Sequence, residues 1–527
     1  MDFRLVSYNV GIILLLFAFS MIPALFWSLP FLGGVWEYEA QGVIGLVLSV
    51  LLTGGVSVGL IWFGKSDKSH TVFRKEAIAI VGISWILASI FGAMPYLLSG
   101  TIRGERVDAL GRVEPIPMSV VDSLFESISG ITTSGATTIA DVEDPAKISR
   151  TILFWRSTTH FVGGLGIIVL LVALLDTGMA GKLLVQREMT GPKHGVQTFS
   201  RTQMIARRTV IVYLVLNAAL VILLSMCGIG FYDALCFGFG TIATGGLAVY
   251  NDSFAHFRET LSPAGYIAAE WIMTFFMFLS GSSLLALFFL ALGKWQRLIY
   301  STEWRVYVLI LLVSGLTIAY WQYPSCGSVE QSLREGFFHC TSIATTTGYA
   351  TTNYVFWLPA SQAILVGLMF TTSCAGSTAG GPKVIRHILL FKLLRLEMEK
   401  SYRPAIVRPL YYNGERISDP SVAGGIFFYF TLAFTTLLIS WILVMIAEPS
   451  TLWEGKTALM ESKSMDLFAA VISHFSNVGP ALGSLGPMDS FGKLSEFTKF
   501  VLLSNMLLGR LDFIAVLVLF SPSFWKK

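Results

Sequence analysis

Apolar residues along this chain occur in long runs that are separated by short polar segments. Clear examples are Gly11 to Trp27, Gly42 to Phe63, Val210 to Leu224 and Gly425 to Ile446. Each run is close to the roughly 20 residues that a helix needs to cross a bilayer. The pattern predicts an all-α polytopic membrane protein with ten transmembrane helices, at about 8–32, 40–62, 77–99, 149–175, 207–228, 262–293, 304–323, 357–395, 423–447 and 496–521.

Four short segments rich in threonine, serine and glycine interrupt this pattern. Each has a central glycine that follows an acidic residue by 12 or 13 positions; the glycines are Gly135, Gly245, Gly348 and Gly479, and the acids are Asp122, Asp233, Glu335 and Asp466. The apolar stretch between them is too short to cross a bilayer, and an acid at its start suits a helix N-terminus. One such segment alone would be an ordinary turn, but four in register predict four re-entrant pore loops.

Each re-entrant loop then lies inside a repeat made of a span, a half-helix, a polar turn and a second span. The repeats divide the chain into a two-helix N-terminal part at 1–64 and four repeats at 65–180, 181–296, 297–415 and 416–527. Four repeats of one orientation favour a pore with pseudo-fourfold symmetry, because alternating-access carriers usually contain two repeats.

Charge is scarce and unevenly distributed. Of 527 residues only 13% are charged and 54% are hydrophobic, and this excludes a large water-soluble enzyme. Basic residues cluster in alternate connections, at 64–76, 181–208, 294–305 and 383–416. Under the positive-inside rule these connections are cytoplasmic, so both termini are expected in the cytoplasm and the number of spans is even. The first apolar run shows no cleavage site and is expected to be a retained helix.

The glycine-containing turns suggest how such a protein handles a cation. Glycine tolerates positive φ, which lets consecutive carbonyl groups turn toward one axis. Half-helix C-termini carry partial negative charge, and rings of carbonyl oxygens replace the hydration shell of a monovalent cation. The sequence therefore predicts an ion pathway lined by backbone oxygens.

A second irregular segment follows the apolar residues 364–370. It contains Thr371, Thr372, Ser373, Cys374, Ala375, Gly376, Ser377, Thr378, Ala379, Gly380 and Gly381, and Pro382 and Lys383 come next. Three glycines and a proline do not sustain a helix. A kink or a helix end is one interpretation, and an intramembrane loop that obstructs the pore and acts as a gate is the other.

Arg510 lies near the middle of the last apolar span. An arginine at the bilayer centre costs at least about 2.5 kcal/mol, so it should have partners. We expect its guanidinium to reach backbone carbonyls or the 371–381 loop. Glu270 is ambiguous, because its span is long enough to place it either at the interface or within the membrane.

Other reactive residues show no catalytic pattern. The five cysteines have no CxxC spacing, and His160, His339 and His474 are interpreted as buried histidines with satisfied hydrogen bonds. The chain contains no HExxH motif and no paired intramembrane acids. We expect no enzymatic activity, no covalently bound cofactor and no nucleic-acid partner.

Several motifs resemble the Trk/Ktr/HKT superfamily of potassium transporters. They are Asp122 to Thr137 (DSLFESISGITTSGAT), Trp155-Arg-Ser157 with Gly163-Gly-Leu-Gly166, Ala375 to Gly381, and Asn477 to Pro480. The likeness spans nearly the whole chain, and the two extra N-terminal helices make it most similar to the bacterial TrkH/TrkG branch. It implies a pseudo-fourfold pore per subunit, a homodimer in the bacterial inner membrane and a TrkA-type cytoplasmic nucleotide-binding subunit.

The resemblance also implies roles for particular residues. The filter would comprise Thr133, Ser134, Gly135, Thr244, Gly245, Thr347, Gly348, Asn477, Val478 and Gly479. Contacts to K⁺ would come from Thr132, Thr133, Ala243, Thr244, Thr346, Thr347, Asn477 and Val478. In the family, glycine at all four central positions goes with potassium. The fourth loop departs most, since it has Val478, Pro480 and Ala481.

These observations predict potassium uptake through a carbonyl filter, with Rb⁺ as a second permeant ion, gated by residues 371–381, Lys383 and Arg510 and by the nucleotide-binding subunit. The alternative is an ion-coupled potassium carrier, a proton or sodium symporter, or a less selective potassium and sodium transporter. The sequence leaves open whether flux is passive or coupled.

Overall fold

The computed structural model describes residues 1–65, 73–107, 111–175, 199–371, 373–404, 410–413, 415–417, 421–453 and 462–526. These ranges are predominantly helical. The main helices are α1 (Phe3–Met21), α2 (Trp36–Gly64), α3 (Arg74–Leu98), α4 (Val120–Ile131), α5 (Arg150–Leu175), α6 (Phe199–Met226), α7 (Phe231–Ala243), α8 (Pro263–Gly281), α9 (Leu284–Ala291), α10 (Thr302–Cys326), α11 (Val329–Ala344), α12 (Pro359–Phe370), α13 (Val384–Tyr402), α14 (Ser421–Ala447), α15 (Lys463–Ser476) and α16 (Glu496–Leu517).

Seven helical segments of the described chain are long and apolar enough to cross a membrane: Phe3–Ser28, Trp36–Gly64, Lys75–Leu98, Arg207–Met226, Pro263–Gly281, Thr302–Cys326 and Ala423–Ala447. Large apolar side chains on the outside of α2 and α14 remain exposed, such as Trp62 at 80% and Ile446 at 79%. Apolar surface of this extent suits a lipid environment, where it avoids water. The chain is a multi-pass membrane protein.

The structure differs from the sequence-based helix boundaries at several spans, and the helix predicted at 357–395 is divided into α12 and α13. The first α-helix ends at Met21 and continues as a 3₁₀-helix over Ile22–Ser28, because Pro23 in its first turn has no N–H to donate. The segment predicted as one helix at 262–293 is two helices, α8 and α9. Ser282 and Ser283 between them are extended, with ψ of 160° and 118°.

Two small β-hairpins correct the all-α prediction. Strands β1 (Ile102–Val107) and β2 (Val113–Pro117) pair antiparallel before α4, and strands β3 (Leu410–Tyr412) and β4 (Glu415–Ile417) pair antiparallel before α14. The first lies between α3 and α4 and the second between α13 and α14, and in each hairpin the two short strands satisfy their backbone groups on each other.

Four helices of 12 to 16 residues, α4, α7, α11 and α15, lie where the half-helices were predicted. Serines 119, 328 and 462 cap three of them by accepting a hydrogen bond from the third residue of the helix. Asp122, Asp233 and Asp466 lie in the first turn, as expected. Glu335 does not, because α11 begins six residues earlier at Val329.

The interior consists of two large apolar clusters. One is built mainly from α1, α3 and α5 to α8, with Trp155 and Phe237 at its centre, and the other mainly from α10 to α16, with Phe475 and Leu502. Both clusters include residues of the half-helices. The half-helices are therefore enclosed by the long helices instead of lying at the lipid surface.

Candidate functional site

The chain turns sharply after each half-helix, in the same way at all four places. Four residues adopt left-handed backbone conformations with φ of 55° to 59°: Thr133, Thr244, Thr346 and Asn477. Such conformations are uncommon outside glycine and cost roughly 1–2 kcal/mol each. A glycine with φ of 78° to 99° follows two residues later in every case, at Gly135, Gly246, Gly348 and Gly479. We refer to 132–136, 243–247, 345–349 and 476–480 as the four polar loops.

This backbone register corrects one sequence-based assignment. Gly246, and not Gly245, is the counterpart of Gly135, Gly348 and Gly479. Gly245 instead occupies the position of Ser134, Thr347 and Val478. The sequence held a signal for this register, because Gly246 lies 13 residues after Asp233 (246−233), the same spacing as in the other three repeats.

The four polar loops form a closed ring. A methyl group added at each of these glycines would collide with a carbonyl oxygen of the next loop: Gly135 with Gly245, Gly246 with Thr347, Gly348 with Val478, and Gly479 with Ser134. The four oxygens belong to equivalent positions, and the fourth loop contacts the first. Residues up to 345 positions apart in sequence (479−134) are thus brought to one axis.

Side-chain hydroxyls hold the loops to their half-helices. Ser129, Ser342 and Ser473 donate to the carbonyls of Ala136, Tyr349 and Pro480, at 2.6, 2.6 and 2.8 Å. The second repeat has Gly240 at the serine position. There the Tyr349 hydroxyl reaches the Leu247 carbonyl at 3.4 Å, and it occupies the space that a side chain at 240 would need. The third loop therefore supports the second.

The first and third polar loops differ from the second and fourth in their side-chain hydroxyl groups. In the first loop Thr132 Oγ1 and Ser134 Oγ lie 2.8 Å apart, and in the third loop Thr345 Oγ1 and Thr347 Oγ1 also lie 2.8 Å apart. The second and fourth loops have Gly245 and Val478 at the corresponding position and cannot form this bond. Asn477 of the fourth loop instead donates to Ser134 Oγ at 2.7 Å and to the Met506 carbonyl at 3.0 Å.

The ring has two open sides, and different structures lie next to each of them. On one side an open cavity is lined by Gly135, Gly246, Gly348 and Pro480, one residue from each loop. The other side is covered by the segment 371–383 between α12 and α13, which we call the α12–α13 loop. Thr372 lies outside the described residues.

The α12–α13 loop is tied to the ends of the half-helices. Ser373 Oγ donates to the Ala344 carbonyl at 3.1 Å, Thr378 Oγ1 donates to the Ile242 carbonyl at 2.9 Å, and the Gly380 amide donates to Thr346 Oγ1 at 3.2 Å. A side chain at Gly380 or Gly381 would collide with Asn477 or Ser476. The glycines allow this segment to lie directly against the ring.

The α12–α13 loop also forms hydrogen bonds with the break between α8 and α9. The Cys374 amide donates to the Gly281 carbonyl and the Leu284 amide to the Gly376 carbonyl, each at 3.0 Å. Glu303 of α10 accepts from the amides of Ala375 and Ile385 at 2.7 and 3.2 Å. Glu303 was not predicted as a site residue from the sequence, since acids are common at the start of any helix.

Arg510 has the contacts expected from the sequence. Its side chain is 6% exposed and donates to the carbonyls of Thr378, at 2.7 Å, and Gly163, at 3.2 Å. It therefore connects α16, α5 and the α12–α13 loop. Lys383 folds back on the same loop, where its ammonium group donates to the Ala379 carbonyl at 2.6 Å and to Ser377 Oγ at 3.3 Å.

Buried ion pairs around the ring were not predicted from the sequence. Glu126 of α4 binds Arg156 of α5 at 2.9 Å and accepts from the Thr138 amide at 2.6 Å, while Arg156 donates to the Ala248 carbonyl at 2.7 Å. This pair joins the segments that directly follow the first and second polar loops. A second acid one helical turn after Asp122 was the available signal.

Glu270, which the sequence left ambiguous, is fully buried in α8. It forms an ion pair with Arg334 of α11, and Arg334 also binds Glu330 at 2.9 Å. The pair connects a long helix to the third half-helix. Glu270 thus has a structural partner.

The connection between α4 and α5 carries a partly exposed charge cluster. Lys147 binds Asp141 at 2.9 Å and Glu105 at 3.1 Å, and Asn251 donates to Asp141 at 2.8 Å. Partial burial of Asp141 opposes ionisation, but the hydrogen bonds from Asn251 and Lys147 prevail and lower its pKa to about 2. The bond to Asp141 likewise raises the pKa of Lys147.

A multi-pass helical protein with a closed ring of four glycine-containing loops belongs to the class of membrane transport proteins. The family model for TrkH, described as a cation transport protein, matches residues 62–527. The chain therefore belongs to the TrkH family of cation transport proteins, and it is a transport protein and not an enzyme.

Curated relatives match along their whole length. The Trk system potassium uptake protein TrkH of Escherichia coli K12 is 29% identical over 531 residues and that of Halomonas elongata is 28% identical over 532 residues, with 100% of both chains covered in each case. TrkG of Escherichia coli K12 is 27% identical, with 99% of both chains covered. The crystal structure of the potassium transporter TrkH from Vibrio parahaemolyticus matches with a TM-score of 0.81 and 25% identity over 100% of both chains.

Proposed function

We propose that this chain takes up potassium ions across the bacterial inner membrane, with the ring of four polar loops as its selectivity filter. The observation that carries the proposal is the closure of the ring, in which equivalent glycines contact equivalent carbonyls of the next loop. The names of the relatives support potassium as the transported ion. Each of the four repeats, at 65–180, 181–296, 297–415 and 416–527, contributes one loop.

The membrane topology in this proposal has ten spans and four re-entrant half-helices. The spans are α1, α2, α3, α5, α6, α8 with α9, α10, α12 with α13, α14 and α16. Both termini are cytoplasmic, and the cavity lined by Gly135, Gly246, Gly348 and Pro480 faces the outside. An ion would leave water in this cavity and pass through the ring toward the cytoplasm.

Backbone carbonyls provide the chemistry of selection. The half-helices end at the ring, so their partial negative charge lowers the energy of a cation there. Carbonyl oxygens at Thr133, Ser134 and their counterparts replace the water that K⁺ loses. The turns fix these oxygens, because a left-handed residue and a positive-φ glycine hold each loop in one conformation.

The α12–α13 loop is the gate in this proposal. It covers the ring on the cytoplasmic side, and Arg510 holds it through the Thr378 carbonyl. A TrkA-type nucleotide-binding subunit, docked on the basic cytoplasmic segments of a homodimer, would move the loop aside. Most of the basic segment 182–208 lies outside the described residues, and α13 supplies most of the described part of the basic segment 383–416.

Ion flux into liposomes that contain this chain alone tests the proposal. We expect Rb⁺ to permeate in preference to Na⁺, and we expect Gly135→Ser to reduce that preference, because its Cβ would displace the Gly245 carbonyl. Gly54→Ser is a matched control, since Gly54 has no neighbouring atom within 4 Å of a Cβ. Equal Rb⁺ and Na⁺ permeation by the unmodified protein would overturn the potassium assignment.

A further inference from the structure

His160 differs from the other two buried histidines that the sequence singled out. His339 Nδ1 lies 2.8 Å from the Glu335 carbonyl, and His474 Nδ1 lies 2.7 Å from the Ala470 carbonyl. His160 is 0% exposed, and neither ring nitrogen has a hydrogen-bond partner among the described residues. The expectation of a satisfied histidine is therefore wrong for His160, and its position needs another explanation.

His160 lies on the face of α5 that packs against the second polar loop. Arg156, one turn earlier on this face, donates to the Ala248 carbonyl. Gly164, one turn later, packs so closely on Ala243 that a Cβ would lie 2.9 Å from the Ala243 Cβ. Between them the imidazole of His160 meets Gly245. A Cβ at Gly245 would lie 2.5 Å from Cγ and Nδ1 of His160 and 2.6 Å from its Cδ2.

The imidazole thus fills the space that a side chain at 245 would occupy. The equivalent positions in the other loops carry the side chains of Ser134, Thr347 and Val478. Gly245 does not have positive φ, so its backbone would accept a side chain. His160 contributes all three of the nearest atoms that such a side chain would meet. The second loop is also the one loop of the ring with two consecutive glycines in its turn, at 245 and 246.

We propose that His160 is a positioning residue of the selectivity filter: its imidazole replaces the side chain that the second polar loop lacks and thereby fixes the carbonyls at 244–246. The inference rests on the proposed function, because it concerns the filter of a potassium-selective pathway. Two adjacent glycines leave this loop more conformational freedom than the other three. Packing against a buried ring removes that freedom, as close packing does in protein interiors.

Rb⁺ and Na⁺ flux in liposomes, measured for two single variants and their combination, tests the inference. His160→Ala leaves the loop unsupported, so we expect the Rb⁺ to Na⁺ flux ratio to fall by about tenfold, which corresponds to ~1.4 kcal/mol in relative stabilisation. Gly245→Ser retains His160 and forces a collision, so its ratio should also fall. The double variant places a serine where the first loop has Ser134, and its ratio should recover toward that of the unmodified chain.

The double variant and a control variant distinguish the positioning role of His160 from a general effect on folding. Phe161→Ala is the control, because Phe161 is the next residue of α5 and packs on Phe239 and Tyr213 instead of Gly245. It should lower thermal stability and leave the flux ratio unchanged. If His160→Ala does not fold, the double variant still decides: a folded and selective double variant supports the inference, and a folded and unselective one overturns it.

Two negative results have different meanings. An unmodified chain that passes Rb⁺ and Na⁺ equally contradicts the proposed function itself. An unmodified chain that selects Rb⁺, together with an equally selective His160→Ala variant, contradicts only the role of His160.

Discussion

Lys499 and Asp122 show how strongly single residues can hold this molecule together. Both side chains are 0% exposed, and the ammonium group of Lys499 lies 2.7 Å from one carboxylate oxygen of Asp122. Arg103 binds the other oxygen at 2.9 Å. The three charges join α16, α4 and the β1 strand. A carboxylate at the start of a half-helix therefore serves as an anchor in addition to complementing the helix dipole.

Lys499→Met should destabilise the protein by about 3 kcal/mol, because removing one partner of a buried pair leaves an uncompensated charge. The retained bond from Arg103 keeps the effect at the lower end of the usual range. Thermal unfolding of the detergent-solubilised protein measures it. Lys400→Met, which breaks the exposed pair with Glu397, is the control and should change little. A midpoint for Lys499→Met equal to that of the unmodified chain would contradict the prediction.

Gly246 is the position at which the structural register can be tested. Gly246→Ala should abolish most Rb⁺ flux, because its φ of 78° disfavours a side chain and a Cβ would collide with the Thr347 carbonyl. Flux into liposomes is compared with that of Gly54→Ala, whose Cβ meets no atom within 4 Å. Unchanged flux in Gly246→Ala would remove Gly246 from the ring.

At the scale of elements, the α12–α13 loop depends on helices that are distant in sequence. Arg510 of α16, Glu303 of α10 and the break between α8 and α9 each bond to it. A segment with so many small residues has little apolar surface of its own to bury. Its position is therefore set by hydrogen bonds from its surroundings, and it can be released by removing a few of them.

Arg510→Ala should increase the Rb⁺ flux of the chain alone by several-fold, because charge-assisted hydrogen bonds such as that to Thr378 are among the strongest contacts of a loop. Its dependence on a nucleotide-binding partner should weaken in parallel. Lys463→Ala serves as the control, since Lys463 bonds to the Glu448 carbonyl between α14 and α15 and not to the loop. If flux and nucleotide dependence both match the unmodified chain, Arg510 does not hold the gate.

The connection between α4 and α5 should respond to acid. The pKa of Asp141 is lowered from 3.8 to about 2, so this carboxylate contributes stability above about pH 4. That contribution is lost as the pH falls through about 2. The thermal unfolding midpoint is measured at pH 5 and at pH 3. Its decrease between these two pH values should be smaller for Asp141→Asn than for the unmodified chain. Equal differences for the two proteins would show that Asp141 does not contribute.

At the scale of the whole molecule, the ring needs all four repeats. Asn477 bonds to Ser134 and Lys499 to Asp122, over 343 and 377 residues of sequence. Such contacts close only when the first and last repeats have both been placed. The proposed ten spans would give this closed arrangement an even number of crossings, which puts the two ends of the chain on one side.

Tags at the two termini test this topology. In inverted membrane vesicles both tags should be accessible to protease, and in right-side-out vesicles both should be protected, because basic connections favour the cytoplasm. A tag inserted between β1 and β2, which belong to a connection predicted to be external, gives the opposite pattern and serves as the control. Opposite accessibility of the two termini would require an odd number of spans.

Much of this architecture follows from the sequence because its causes are local. Apolar runs long enough for a bilayer give the helices α2, α3 and α14, and short apolar stretches before Thr/Ser/Gly clusters give the half-helices. The loop at 371–383 is recognisable from its glycines alone. The preference of acids for helix N-termini also correctly predicted an acid in the first turn of three half-helices.

Tertiary structure decided what the pattern along the chain cannot contain. The contact of Gly246 with the Thr347 carbonyl joins two separate loops, and the role of Lys499 depends on a carboxylate 377 residues away. From the sequence, His160 could not be distinguished from other buried histidines. Only the structure shows that its ring packs against the Gly245 backbone. Composition and spacing thus determine which segments enter the membrane, while the ring of contacts exists only after those segments pack, because sterics and charge pairing act between neighbours in space.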